Sequence, residues 1–375
     1  MAAKPVAKAA DKAATKAEAR HTPPNFAARL IAWHKRHGRH DLPWQCRDPY
    51  AVWLSEIMLQ QTQVGTVIPY YRRFLERFPT VQKLAAAPLD DVLTLWSGLG
   101  YYSRARNLHK AAQQLVANHG GVMPADPDVV QTLPGIGRST AAAICVFAHG
   151  GRHAILDGNV KRVLARYCGV HGYPGETRVH ERLWMLAEAL LPPSDKNVRK
   201  TTAAATMIAY TQGLMDLGAS LCSRSKPQCE RCPLNTDCVA HQRGLTHLLP
   251  GKKPRAALPQ RETVMLVMRN AGEILLERRP ASGIWGGLWS LPEVAHERDA
   301  ASTAKRHGVS VVVSKALPLI AHGFTHYKLN ITPLLLEVKK SRSHAPGVPG
   351  TVWLSAEDAA RAAIPTPVRI IIVSI

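Results

Sequence analysis

Residues 133–162, LPGIGRSTAAAICVFAHGGRHAILDGNVKR, decide the fold, because they join a glycine-rich turn to a carboxylate that follows one helix later. Gly135 and Gly137 free the backbone from Cβ clashes, so the N–H groups that open the next helix can point at one anion, such as a DNA phosphate. Asp157 follows after about twenty residues, the distance that one helix and a loop would span. Either feature alone is also typical of an ordinary turn. Together and in this order they predict an enzyme that acts on nucleic acid.

Four of the seven cysteines form a second motif, C-x6-C-x2-C-x5-C, which comprises Cys222, Cys229, Cys232 and Cys238. Thiolates so close in sequence can surround one metal centre, and both zinc and iron–sulfur clusters suit them, so the spacing alone leaves the two open. Disulfide pairing is a third possibility, but it needs an oxidising compartment, and no signal peptide or apolar span supports one. Cys46, Cys145 and Cys168 are more typical of buried apolar residues than of ligands.

The charge of the chain points to a polyanionic partner. The formal net charge is +21 over 375 residues, and such a surplus of Lys and Arg favours nucleic acid. No apolar stretch is long enough to predict a membrane span. A chain of this length can bury more than one core, so we expect two domains.

Composition and hydrophobic period divide the chain into four regions: a disordered basic tail (1–22), a helical region (23–240), a linker (241–259) and a domain of strands and helices (260–375). The tail is rich in Ala and Lys and has no apolar face to bury. A mitochondrial transit peptide is the alternative for the tail, disfavoured by its scarcity of Arg and Ser. Predicted strands of the last region are 263–268, 274–277, 329–338 and 351–354.

Glu56 is the first catalytic candidate, within the segment 53–64, WLSEIMLQQTQV. At about 100° per residue, Glu56, Gln60 and Gln63 share one narrow polar stripe of a helix, and apolar side chains cover the opposite arc. A carboxyl group that borders an apolar wall can have a raised pKa and keep its proton for general acid catalysis. A solvated helix face is the alternative for a single glutamate.

Six motifs together resemble the adenine DNA glycosylases of the MutY family. They are LPW (42–44), SEIMLQQTQV (55–64), GLGYYSRARNLHKAA (98–112), LPGIGRST (133–140), DGNVKR (157–162) and MDLGASLC (215–222). The resemblance runs through nearly the whole helical region. It implies a multidomain fold of all-α helix-hairpin-helix glycosylase domains, followed by an α+β Nudix-like domain. The helical part would comprise a six-helix barrel subdomain at about 45–155 and a cluster-bearing subdomain formed by 23–44 and 156–240.

Enzymes of this family remove adenine that is mispaired with 8-oxoguanine or guanine in double-stranded DNA. The base is flipped out, because its glycosidic bond is inaccessible within the stack. By this resemblance Glu56 would protonate the adenine ring, and Asp157 would stabilise the cationic sugar, including as a transient covalent partner. Asn159 would orient the attacking water or the carboxylates. The division between a proton donor and a fixed anion is the logic of retaining glycosidases.

Ser139 separates this function from its nearest rival. In related enzymes that also cut the strand, such as endonuclease III, a lysine of the helix-hairpin-helix forms a Schiff base with the sugar. Ser139 occupies that place here, two residues after Gly137, so the predicted product is an abasic site with an intact backbone. The alternative is a glycosylase of the same fold with lyase activity or another target base. A non-catalytic lesion-binding protein is disfavoured, because Glu56 and Asp157 are both present.

The resemblance also implies contacts with DNA. Trp44 and Gln212 would contact adenine, Tyr101 would be inserted beside the lesion, and Gln60 would fill the space that the flipped base leaves. Core packing is the alternative for the two aromatic residues. Predicted phosphate contacts are Arg104, Arg106, Lys110, Arg224, Lys226 and Arg231. The four cysteines of the motif would hold a structural [4Fe–4S] cluster.

The last region resembles a Nudix domain without its metal ligands. Gly287 and Glu293 fit the start of a Nudix box and Gly308 fits its end, but residues 301–306, ASTAKR, stand where carboxylates would bind Mg²⁺. We therefore expect no pyrophosphatase activity. The family implies recognition of the opposing 8-oxoguanine instead, by the loop Phe324, Thr325 and His326. A strand edge with a core Phe is the alternative for this loop.

We expect a monomeric protein whose partner is double-stranded DNA with A:8-oxoguanine or A:G mispairs, and no association with membranes. The distribution of the family and the lack of further targeting regions predict a bacterial cytoplasmic protein that is associated with the nucleoid.

Overall fold

The computed structural model describes residues 25–253, 258–340 and 348–375, so the predicted basic tail at 1–22 lies outside the described residues. The helices before the linker are α1 (Phe26–His37), α2 (Pro49–Leu59), α3 (Val64–Arg77), α4 (Val81–Ala86), α5 (Leu89–Trp96), α6 (Ser103–His119), α7 (Pro127–Val130), α8 (Arg138–His149), α9 (Gly158–Tyr167), α10 (Thr177–Ala189), α11 (Lys200–Ala219) and α12 (Val239–Gln242). Two turns of 3-10 helix, Cys229–Arg231 and Asn235–Asp237, lie within the cysteine motif. In the part of the chain that the structure describes, no helix is both long and apolar enough to cross a membrane.

The last region forms one mixed sheet with three helices. Its elements are β1 (Gln260–Asn270), β2 (Glu273–Arg278), β3 (Trp289–Ser290), β4 (Glu293–Val294), α13 (Ala300–Arg306), β5 (Val309–Ala316), β6 (Ile320–Gly323), β7 (Lys328–Lys340), β8 (Thr351–Ser355), α14 (Ala356–Arg361) and α15 (Thr366–Val373). All four predicted strands are confirmed as β1, β2, β7 and β8. The α+β class of this region is therefore confirmed as well.

The sheet has the strand order β3-β2-β1-β7-β5, and β4, β6 and β8 pair with β1, β7 and β2. The central strands β1 and β7 are parallel, with Gln260 opposite Lys328 at one end and Arg269 opposite Glu337 at the other. Alternating side chains of these strands enter two apolar clusters. One cluster includes residues of α14 and α15, and the other includes residues of α13. Helices on both faces thus bury the sheet.

Contacts between Cα atoms divide the chain into two compact units. Unit 1 comprises Met1–Gln60 and Gln114–Pro254, and unit 2 comprises Gln61–Gln113 and Arg255–Ile375. This grouping differs from the predicted subdomain boundaries, which stay a prediction. The core of unit 1 contains apolar residues of α1, α8, α9, α10 and α11.

Within unit 2, the helical segment is joined to the sheet domain by specific polar contacts. The hydroxyl of Tyr102 donates to the carbonyl of Ile364 at 3.3 Å, and the guanidinium of Arg106 donates to the carbonyl of Gly286 at 2.5 Å. Arg278 forms a two-pronged ion pair with Asp90. These contacts fix the turn between α5 and α6, which carries the GLGYY motif.

The described part of the predicted linker packs against unit 1. Leu249 is buried, and its carbonyl accepts a hydrogen bond from Arg166 Nε at 2.9 Å. The N–H of Gly251 donates to the carbonyl of Gly172 at 3.0 Å. A Cβ at Gly251 would lie 2.6 Å from that same oxygen, so the close approach requires glycine. The segment is therefore anchored as far as Gly251.

Candidate active site

Glu56 lies on α2, where nearly all neighbouring side chains are buried. The helix begins where Asp48 Oδ1 accepts the N–H of Tyr50 at 3.0 Å and Pro49 occupies the first turn. Apart from Glu56, every residue from Tyr50 to Met58 is buried. Burial raises the pKa of Glu56 to about 8, and the charge of Asp157 contributes a smaller rise. A carboxyl group with this pKa keeps its proton at neutral pH and can act as a general acid.

The predicted polar stripe ends earlier than the sequence indicated. Helix α2 ends at Leu59, and Gln61 has a φ of +56°, in the left-handed region. Gln63 is consequently the residue before α3 and does not continue the stripe of Glu56, so that part of the prediction is wrong. Gln60 Nε2 lies 3.5 Å from Thr140 Oγ1, at the start of α8.

Asp157 caps the N-terminus of α9. Its Oδ1 accepts the N–H of Val160 at 2.7 Å, the usual geometry of an aspartate N-cap. Burial raises the pKa of Asp157, while backbone N–H groups and the nearby charges of Arg162 and Lys161 oppose this rise. Burial has the larger effect, so the pKa of Asp157 stays above its ordinary value although these partners favour the anion. Because its charge also raises the pKa of Glu56, the two carboxyl groups lie close enough to interact.

The glycine-rich turn leads directly to the Asp157 loop. Gly135 has a φ of +79°, which favours glycine, and Gly137 precedes the first residue of α8. The first N–H groups of that helix have no partner within the helix, as at any helix N-terminus. Ser139 Oγ accepts the N–H of Leu156 at 2.9 Å. Ser139, the residue predicted to distinguish a glycosylase from a lyase, thus holds the backbone of Leu156, the residue just before Asp157.

Asn159 is fixed by a contact network that extends to the cysteine motif. Arg162 Nη2 donates to Asn159 Oδ1 at 2.9 Å and to the carbonyl of Gly218 at 2.7 Å. Arg162 Nε donates to the carbonyl of Cys222 at 2.8 Å. A Cβ at Gly218 would lie 2.6 Å from Asn159 Cβ, so glycine permits α11 to approach α9 here. One arginine therefore joins Asn159 to the first cysteine of the motif.

The four predicted ligands line one cavity, namely Cys222, Cys229, Cys232 and Cys238. All four are free thiols, which excludes the disulfide alternative in this structure. Arg166, only 3% exposed, donates to the carbonyls of Ser223 and Arg224, and its Nη1 lies 3.4 Å from Cys222 Sγ. Among the residues described, no three His, Cys, Asp or Glu side chains already form a metal-binding group. A metal centre would thus draw together thiols that already share a cavity.

Gln212, a predicted adenine contact, is held by the buried carboxylate of Asp216. Gln212 Nε2 donates to Asp216 Oδ1 at 2.9 Å. Asp216 also accepts from the backbone N–H of Arg39 at 2.9 Å and from its Nε at 2.7 Å, and His34 Nδ1 lies 3.3 Å from Oδ2. Although burial raises the pKa of Asp216, these partners lower it further than burial raises it. Asp216 is therefore an ionised acceptor.

The same network reaches the turn of Trp44. The carbonyl of Arg39 accepts Gln45 Nε2 at 2.6 Å, and Gln45 Oε1 accepts the N–H of Leu42 at 3.1 Å. Trp44 is 7% exposed within this turn. A chain of hydrogen bonds through Asp216, Arg39 and Gln45 thus connects Gln212 to the turn that carries Trp44, and both residues are predicted to contact adenine.

Tyr101 is an exposed aromatic residue in a strained turn. It is 44% exposed, which excludes the core-packing alternative for this residue, and its φ is +50°. Residues held in this region often occur at functional sites. The prediction that the neighbouring Arg104 contacts phosphate is wrong. Arg104 is buried and donates to Thr62 and to the carbonyls of Leu99 and Gly100, so it holds the turn in shape.

Phe324, Thr325 and His326 form the hairpin loop between β6 and β7. The N–H of Phe324 donates to the carbonyl of Tyr327 at 2.9 Å, which leaves Thr325 and His326 exposed at the tip. The ring of Phe324 stacks on Tyr327 at 4.6 Å and lies 5.3 Å from Trp285. Trp285 itself has a φ of +55°. An aromatic cluster therefore supports a polar tip.

Sequence reasoning missed four residues that organise these sites: Arg162, Arg166, Asp216 and Trp285. Of these, only Asp216 could have been found from the sequence, because a carboxylate in the apolar last turns of a helix needs hydrogen-bond partners when it is buried. The arginines of α9 repeat after four residues, which places them on one face but does not indicate what they contact. The contacts of Trp285 depend on the hairpin, which is distant in sequence.

Known proteins are similar to this chain in both parts. The family model "HhH-GPD superfamily base excision DNA repair protein" matches residues 54–189, and the model "NUDIX domain" matches residues 263–374. Adenine DNA glycosylase of Buchnera aphidicola (subsp. Acyrthosiphon pisum) is 34% identical, covering 92% of this chain and 95% of its own. Adenine DNA glycosylase of Homo sapiens is also 34% identical, over 92% of this chain and 72% of its own length. The structure of a thermostable thymine-DNA glycosylase matches with a TM-score of 0.51 and 29% identity, over 61% of this chain and 99% of that chain.

Proposed function

Because this chain belongs to the adenine DNA glycosylase family of base-excision repair enzymes, we propose that it removes adenine mispaired with 8-oxoguanine or guanine and leaves the DNA backbone intact. The observation that carries the proposal is the pair formed by Glu56, whose pKa is raised to about 8, and Asp157, whose charge contributes to that rise. One carboxyl group keeps a proton while the other supplies an anion. This division is what breaking a purine glycosidic bond requires.

In the proposed reaction, Glu56 donates its proton to the adenine ring. The protonated base then leaves with the electron pair of the glycosidic bond. Asp157, whose carboxylate accepts the N–H of Val160, stabilises the positive charge that develops on the sugar. Water then forms a bond to the sugar carbon and loses a proton to the carboxylate that Glu56 has become, which restores the acid. Asn159, fixed by Arg162, orients the water or the carboxylates.

The intact backbone follows from Ser139. A strand cut by a lyase needs an amine that attacks the sugar carbon, and the side chain of Ser139 carries a hydroxyl instead. Its oxygen accepts the N–H of Leu156. We propose that this residue positions Asp157 and that the product is an abasic site.

Four residues are assigned to recognition of the mispaired adenine. Trp44 and Gln212 contact the flipped base, Tyr101 is inserted beside the lesion, and Gln60 fills the vacated space. The exposure and strain of Tyr101 support its role, since an exposed ring can stack on a base. Gly135 and Gly137 bind a phosphate through the N–H groups that open α8.

The opposing 8-oxoguanine is assigned to the hairpin loop of Phe324, Thr325 and His326. Two exposed polar side chains at the tip can reach a base edge, while Phe324 is held by its aromatic neighbours. Thr325 supplies a hydroxyl that can donate or accept a hydrogen bond.

A [4Fe–4S] cluster is the proposed cofactor, held by Cys222, Cys229, Cys232 and Cys238. The fit rests on four free thiols that line one cavity, with Arg166 Nη1 at 3.4 Å from Cys222 Sγ. When bound, the cluster would supply a structural crosslink between segments that are too short to form a core. The residues around it hold Asn159 in place through Arg162.

The proposed partner is double-stranded DNA that carries A:8-oxoguanine or A:G mispairs, bound by a monomer. A bacterial cytoplasmic location, associated with the nucleoid, accords with the net charge of +21.

The mispair is tested by single-turnover release of adenine placed opposite 8-oxoguanine, guanine, cytosine or thymine in otherwise identical duplexes. We expect the fastest release opposite 8-oxoguanine. Thr325→Ala combined with His326→Ala should lower that rate roughly tenfold, about one or two hydrogen bonds, with a smaller effect opposite guanine. His296→Ala combined with Ser302→Ala, exposed in the same domain, is the matched control. Equal rates opposite all four bases would contradict the proposed specificity.

A further inference from the structure

A basic groove lies beside the N-terminus of α9 and extends from Asn159 to Arg224, a predicted phosphate contact, and to Lys252 and Lys253, to which no role has been assigned. Its volume is about 560 Å³. The residues that line it include no Asp or Glu, and its cationic members are Lys161, Arg162, Arg166, Arg224, Lys252 and Lys253. Such a concentration of one sign of charge in a concave surface attracts anions.

Two of these cations serve the protein itself. Arg162 donates to Asn159, Gly218 and Cys222, and Arg166 is buried with bonds to backbone carbonyls. These bonds fix the floor of the groove.

The remaining cations are available to a ligand. Arg224, Lys252 and Lys253 are exposed, and the structure shows no ion pair for them among the residues it describes. Lys161, half-buried, interacts with the charge of Asp157.

The two walls of the groove are positioned by specific contacts. One wall is the segment of Lys252 and Lys253, held by Leu249 on Arg166 and by Gly251 on Gly172. The other wall carries Arg224, whose carbonyl accepts Arg166 Nη2 at 3.1 Å. Arg166 therefore bonds to the backbone of both walls, at Leu249 and at Arg224.

We propose that this groove binds phosphates of the DNA strand that carries the target adenine. The groove includes Gly158 and Asn159, the first residues of the helix that Asp157 caps. A strand whose sugar reaches Asp157 must continue past these residues, and the groove supplies cations for its next phosphates. This assignment rests on the proposed action on DNA.

The groove is tested by the salt dependence of binding to an A:8-oxoguanine duplex. Each phosphate that a variant no longer neutralises makes the slope of log K against log [salt] shallower by about 0.9. We expect Lys252→Gln combined with Lys253→Gln to reduce the slope by about two, and added Arg224→Gln, on the opposite wall, to reduce it by about one more. Lys35→Gln combined with Arg36→Gln, an exposed pair on α1, removes the same charge outside the groove and should leave the slope unchanged.

Single neutral methylphosphonate linkages, placed in turn along the adenine strand, locate the contact. At the linkages that the groove binds, the effects of the Lys252/Lys253 variant and of the neutral linkage should be less than additive. An unchanged slope in variants of a protein that binds and excises would overturn the groove but leave the proposed function standing. Additive effects at every linkage would also overturn the groove. So would variants that lose binding of inorganic phosphate but bind DNA as the wild type does. A wild-type protein that binds no DNA would instead overturn the proposed function.

Discussion

The side-chain amide of Gln212 donates a hydrogen bond from Nε2 to Asp216 Oδ1 at 2.9 Å. Because the ionised carboxylate can only accept, it fixes which end of the amide faces it. The oxygen of Gln212 therefore points away from Asp216, and no described donor is shown to reach it. An amide oxygen can accept from the exocyclic amine of adenine, whereas it would oppose the carbonyl of hypoxanthine. If Gln212 contacts the flipped base as proposed, Asp216 thus positions an acceptor that selects adenine.

Asp216→Asn should weaken the choice between these two bases. Asparagine can donate as well as accept, so the amide of Gln212 can turn over. We expect the ratio of single-turnover rates for adenine over hypoxanthine, each opposite 8-oxoguanine, to fall roughly tenfold, about one hydrogen bond. Asp91→Asn, which removes a carboxylate paired with Arg77 outside this network, is the control. If both rates fell together in the Asp216 variant, Asp216 would have only a structural role.

Glu56→Gln should abolish base removal and leave binding to the mispaired duplex nearly intact. Loss of a general acid costs roughly 10²–10⁴ in rate, and glutamine keeps the size of the side chain. In the wild-type protein the proton is present below a pKa of about 8, so the single-turnover rate should be constant at neutral pH and fall as pH rises through about 8. Rates measured from pH 6 to 9.5 check this. A rate that rises over that range would contradict the general-acid role.

The same carboxyl group links stability to pH. Its pKa in the folded protein, about 8, exceeds the ordinary value of 4.5, so its contribution is fully present below about pH 4.5 and is lost as pH rises through 8. Glu56→Gln removes this dependence. We expect its Tm to exceed that of the wild type by a few degrees at pH 9, roughly 1–2 kcal/mol, and by little at pH 5. Glu181→Gln, exposed on α10, should show no such widening of the Tm difference.

Cys229→Ser should lose visible cluster absorbance and DNA affinity together, because both depend on the same loop. Cys46 is exposed, so the prediction that it is a buried apolar residue is wrong. Cys46→Ser lies outside the motif and should retain both properties. Metal analysis and absorbance spectra of protein purified without oxygen provide the measurement. Zinc without iron in the wild-type protein would exclude the iron–sulfur assignment.

The sequence predicted those features that depend on local pattern. The strands of the last region have the predicted positions, and Glu56 lies on the predicted helix. The stripe beyond Glu56 was wrong because helical periodicity cannot reveal that Gln61 adopts a left-handed conformation. Arg104 was misassigned for a similar reason: an arginine beside exposed aromatics has the same pattern whether it binds phosphate or backbone carbonyls.

The network around Asp216 could not be predicted, because its members come from α1, the Trp44 turn and α11. Only the fold brings Arg39 within 2.7 Å of Asp216. Similarly, residues 249–253 have the composition of a linker, and only the fit of Gly251 on Gly172 reveals that they form the wall of a groove.

The measurement that tests the proposed reaction most directly is a single-turnover reaction on a duplex with one adenine opposite 8-oxoguanine. Free adenine and strand breaks are scored separately, before and after alkali. With Ser139 in place of a lysine, we predict release of free adenine and breaks only after alkali. Breaks without alkali would show that Ser139 does not exclude a lyase reaction. No adenine release from a folded, cluster-loaded protein would contradict the roles of Glu56 and Asp157.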